Sequence, residues 1–150
     1  MKVNTGMEQS NPPILSEKAS FELNLISKEI LAAIIGIIGY IVLIISAKQD
    51  IIEIQQSQSR TEPTGDPSLA PRTAAAASLF FFTASIILAQ IAAERLRERQ
   101  INIQAGRTTG SIIPNIDITA GTMVSVLGNI LRVIGTQQRA TEPTARVTII

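Results

Sequence analysis

Apolar residues in this chain are gathered into blocks, and the charges stand between them. Residues 30–47 and 73–93 carry no charge at all, and neither do the shorter 118–131. Eighteen residues from Ile30 to Ala47 make a helix of about 27 Å, close to the hydrocarbon thickness of a bilayer. Eleven of the eighteen are Ile, Leu or Val, which favours insertion by roughly 5 to 6 kcal/mol. This pattern predicts a first transmembrane span. Thr73 to Ala93 is long enough for a second, at about 31 Å. Its aliphatic and aromatic residues supply only about 4 kcal/mol, opposed by Thr73, Ser78, Thr83, Ser85 and Gln90. A span of that kind is marginal alone and calls for a neighbouring helix.

The stretch 118–131 has only fourteen residues and is diluted by Thr119, Gly121, Thr122, Ser125, Gly128 and Asn129. Met123, Val126, Leu127, Ile130, Leu131 and Ile134 recur at intervals of three and four, so one apolar face is expected. The expectation is an amphipathic helix at about 118–134 rather than a third span.

Between the blocks, turn chemistry marks the boundaries. Residues 1–15, with Asn11-Pro12-Pro13, read as a flexible arm. A first helix is expected over 16–60, with Ser16 as its N-cap and Glu17 suited to the helix dipole. Thr61-Glu62-Pro63-Thr64-Gly65-Asp66-Pro67 opens an extramembrane loop, 61–72, and Pro71 fits the first turn of the next helix. That second helix, 73–105, meets a stop at Ala105-Gly106. The remaining 106–150 holds the amphipathic helix. Arg60-Thr61-Glu62-Pro63-Thr64 is echoed by Arg139-Ala140-Thr141-Glu142-Pro143-Thr144, a short match that would place both copies in loops.

The fold class expected is therefore all-α: a transmembrane hairpin of two helices plus a C-terminal amphipathic helix. Small residues offer a packing face. Ser85, Ala89 and Ala93 recur every four residues in the second span, and Ala32 and Gly36 do so in the first. Arg95, Arg97 and Arg99 form a basic cluster with Glu94 and Glu98 at the membrane surface, a stop to translocation.

Composition narrows the chemistry. The chain has no Cys and no His, so disulfides, Cys–His nucleophile pairs and the usual zinc, haem and iron–sulfur ligands are excluded. No phosphate loop or nucleophile-elbow pattern occurs. No catalytic residue, cofactor or metal ligand is expected, and a net charge of +1 gives no field that would draw nucleic acid.

Two spans put both termini on one side. Lys18, Lys28, Arg95, Arg97, Arg99 and Arg107 make that side the cytoplasmic one, against Lys48, Arg60 and Arg72 on the other. The function expected is a non-enzymatic integral membrane component. Its partners are the lipid bilayer and copies of itself or a larger membrane complex. The alternatives are a pore or lesion former of the holin kind and a structural protein of a virion or envelope assembly.

Overall fold

The computed structural model describes residues 17–59, 66 and 68–142. The expected N-terminal arm, the Ser16 cap, most of the 61–67 turn and the first half of the internal echo lie outside them, whereas Arg139, Ala140 and Thr141 of the second half are helical rather than part of a loop. The described chain is all-α, with three helices in the order α1 (Glu17–Gln58), α2 (Leu69–Gln104) and α3 (Ile113–Thr141). At 42, 36 and 29 residues they measure about 63, 54 and 44 Å. All three are long and apolar enough to cross a membrane. The C-terminal helix is thus longer than 118–134, and the hairpin of two spans becomes three candidate spans.

The third helix extends further because its ends are built from loop residues. Ser111 Oγ accepts the Ile113 N–H at 3.1 Å, and Pro114, in the first turn, gives up no hydrogen bond there. Helix α2 closes where a stop was expected. Gly106 adopts φ +65°, its N–H reaches Ile103 O, and the Arg107 N–H reaches Asn102 O. This pair of bonds is a Schellman end, which only a residue free of a Cβ adopts without strain. Gly110, at φ +127°, turns the connection into α3, and Arg99 ties it down by donating to Thr108 Oγ1 at 2.9 Å.

Before α2, Asp66 Oδ1 accepts the Ser68 hydroxyl at 2.7 Å and the Ser68 N–H at 2.9 Å. These bonds, the hydroxyl's first, hold the Asp66 carboxyl below the usual aspartate range.

Helix α2 is central. It packs against α1 on one side and α3 on the other, while α1 and α3 do not pack together. Ten residues of α2 are buried, four of α1 and none of α3. The exterior is aliphatic: Ile34, Ile37, Ile41 and Ile44 of α1 and Val124, Leu127, Leu131 and Ile134 of α3 all face outward.

Candidate functional site

The seam between α1 and α2 has a period of seven and is made of small residues except at one end, where Leu25 and Ile91 are buried. Leu25, Ala32, Gly39 and Ser46 are buried on α1, and Ala70, Ala77, Ala84 and Ile91 on α2. A seven-residue repeat keeps one stripe facing its partner when two helices wind around each other with a left-handed twist. At Gly39 the backbones come close: a Cβ there would lie 3.1 Å from Phe80 Cβ and 3.2 Å from Phe81 Cε1. Ser46 donates its hydroxyl to Ala70 O at 2.8 Å, a buried bond between the helices.

The packing residues expected from sequence fall in different places. Ala32, Ser85 and Ala89 are buried, and Ala93 is half-buried. Gly36 is half-buried with open space where a Cβ would stand. The four-residue spacing directs attention to Gly36, whereas the seven-residue seam runs through Gly39. A seven-residue scan of the small residues would have found it.

At one end of this seam stand two crossed ion pairs. Arg95 donates both guanidinium nitrogens to Glu29, at 2.6 and 2.9 Å. Lys28 Nζ lies 3.5 Å from Glu94. Adjacent residues of opposite sign on α1 thus meet adjacent residues of opposite sign on α2, so a slip of one heptad along the seam would break both pairs. Of the expected basic cluster, Arg95 is engaged here, Arg99 holds the loop and Arg97 is exposed. A cleft of about 210 Å³ opens beside this pair, lined by Glu29, Leu88, Arg95, Asn115 and Thr122 among others.

The seam between α2 and α3 is polar. On α3 the half-buried positions are Asn115, Thr119, Thr122, Val126, Asn129, Val133, Thr136 and Ala140, alternating at three and four. They meet α2 where Ser78 and Ser85 are buried. The Ser78 and Thr136 hydroxyls are 2.9 Å apart, and Thr119 Oγ1 donates to Ala92 O at 3.2 Å. Helix α3 therefore turns Asn115, Thr119, Thr122, Asn129 and Thr136 toward α2 and its Ile and Leu residues outward, opposite to a surface helix of a water-soluble protein. The expected apolar face is present, but Met123, Leu127, Ile130, Leu131 and Ile134 are exposed rather than docked on the protein.

The hydroxyls that weaken α2 as a span are satisfied within it. Thr73, Ser78, Thr83 and Ser85 each donate to a carbonyl three or four residues earlier. A hydroxyl bonded in this way brings no unpaired donor into lipid.

One charge lies within the apolar depth of the helices. Arg132 of α3 places its guanidinium carbon 4.5 Å from the centre of the Phe81 ring. Phe81 in turn meets Tyr40 of α1 edge-on, with centroids 4.7 Å apart. Sequence reasoning put Arg132 just past the uncharged stretch 118–131 and gave it no role, since its depth depends on how α3 aligns with α2.

Among the described residues no group of His, Cys, Asp and Glu could hold a metal ion. The class that fold and site define is an all-α chain with three candidate membrane spans, a small-residue seam and a polar seam. Comparison with protein-family models, curated proteins and solved structures returns no match.

Proposed function

We propose that the chain is a non-enzymatic integral membrane component that associates with copies of itself or holds a larger membrane complex together. The observation that carries this reading is the orientation of α3. A helix whose Asn and most of whose Thr residues face its neighbour while its Ile and Leu residues face outward is arranged for a hydrocarbon surround. The outward faces of α1 and α3, unpartnered in one copy, are the surfaces on which lipid or a further copy would lie.

In this reading α1, α2 and α3 cross in alternating directions. Lys18, Lys28, Arg95, Arg97, Arg99 and Arg107 gather at one face, assigned to the cytoplasm by the bias of positive charge. Lys48, Arg72 and Arg139 gather at the other. Three crossings put Glu17 and Thr141 on opposite faces, where two crossings would leave both ends in the cytoplasm. A pore former needs a wet face, yet Ser78 and Ser85, two candidates for one, are 1% and 7% exposed and bonded internally. That favours a scaffold over a lesion former.

The test pairs crosslinking in native membranes with release of a dye from vesicles holding the purified protein. Crosslinked multimers and tight vesicles are expected. Dye release at protein levels that give multimers would replace the scaffold with a pore.

A further inference from the structure

The Arg132 side chain is a cation in an apolar zone that contains no carboxylate among the described residues. Phe81 stands nine residues from Arg72 and thirteen from Glu94, which puts the guanidinium about 13 Å inside one charged edge of α2 and about 20 Å inside the other. At such depth an arginine needs acceptors for its five N–H donors. The ring of Phe81 compensates part of the charge but accepts no strong hydrogen bond. The acids nearest in sequence are all at or beyond the ends of the apolar segments: Glu29 and Asp50 on α1, Asp66 and Glu94 around α2, Asp117 and Glu142 around α3.

A second copy carries the same depth profile, so it brings another arginine to this level and no acid. The compensating anion therefore comes from outside the described residues. Of the two charged edges, the nearer is the one at the α1–α2 connection. A phospholipid of that leaflet has its phosphate closest, and the bilayer can thin locally to deliver it. Two guanidinium nitrogens match two phosphate oxygens in a bidentate pair.

We infer that Arg132, with Phe81 beside it, forms a binding site for the phosphate of an anionic phospholipid from the leaflet at the α1–α2 connection. This rests on the reading that the three helices cross the membrane. Phe81 orients the guanidinium from one side, and the free edge of the fork takes the phosphate. Tyr40, the single tyrosine of a chain without tryptophan, touches the Phe81 ring that Arg132 stacks on, so its emission reports on that ring without labelling.

The test uses the full chain in vesicles of phosphatidylcholine, alone or with added phosphatidylglycerol. Bound lipid is read by mass spectrometry after gentle detergent extraction, and Tyr40 emission is read in the vesicles. Wild type should retain phosphatidylglycerol and change its Tyr40 emission when that lipid is present. Arg132→Gln should retain about tenfold less, the loss of one charge-assisted pair, and show no emission change. Arg132→Lys should keep part of the retention, and Arg139→Gln, at the end of the same helix, should behave as wild type. Equal retention by wild type and Arg132→Gln in protein that resists alkaline extraction would overturn the lipid site alone. A Tyr40 response to inorganic phosphate in phosphatidylcholine vesicles, without retained lipid, would overturn it in favour of a soluble anion. Release of the wild-type chain by alkaline extraction would overturn the membrane reading beneath it.

Discussion

Gly39 and Gly36 differ only in what stands opposite them. A Cβ at Gly39 meets Phe80 and Phe81 at 3.1 to 3.3 Å, and a Cβ at Gly36 meets nothing within 4 Å. Gly39→Leu should therefore force α1 and α2 apart at a cost of about 1 to 3 kcal/mol, the usual range for overpacking. Gly36→Leu adds an aliphatic group to an open surface and should leave the hairpin intact. Midpoints of unfolding in mild detergent, followed by helical circular dichroism, rank the two. Equal midpoints would mean the helices are not in close contact at Gly39.

At the scale of the element, the alignment of α1 with α2 is set by packing along the seam and by charge at one end. Small residues every seven positions tolerate a shift by one heptad, since the same pattern recurs. The crossed pairs Lys28–Glu94 and Glu29–Arg95 do not. Both partners of the closer pair are about a third exposed, and screening limits it to about 0.5 to 1 kcal/mol. Its larger effect is on register. Glu29→Arg should weaken the hairpin by placing two arginines together, and Arg95→Glu should do so by placing two glutamates together. The double exchange should recover most of the loss, with a coupling visible in a double-mutant cycle. Additive losses would show that the pair does not form in the membrane. Helix α3 has no such clamp and relies on hydroxyl bonds worth about 0.6 kcal/mol each in lipid, so it is the element most readily detached.

For the whole molecule, the number of crossings decides which ends share a face. With three, a cysteine at Lys18 and one at Thr141 should react differently with a membrane-impermeant maleimide in intact cells. Thr141→Cys and Ser68→Cys should label from outside, and Lys18→Cys only after lysis. Labelling of Thr141→Cys only after lysis, with Ser68→Cys still labelled outside, would mean that α3 lies along the surface and that two helices cross.

Segment by segment, the sequence by itself determined most of the architecture. Long uncharged runs in α1 and α2 make helices long and apolar enough to cross a membrane, and Gly106 ends α2 because its left-handed turn suits glycine. The all-α class and the two stronger candidate spans follow from those local facts. What α3 does was not legible in the same way. Its three-four periodicity reports that one side is apolar but not whether that side meets protein or lipid, because a helix moment has the same size in either orientation. Only the packing of α3 on α2, with Thr136 at Ser78 and Thr119 at Ala92, decided that the aliphatic side points out. The same holds for Gly39, Glu29 with Arg95, and Arg132 with Phe81. Each is a contact between residues far apart in sequence, and its existence depends on the register of two helices, which no single segment encodes.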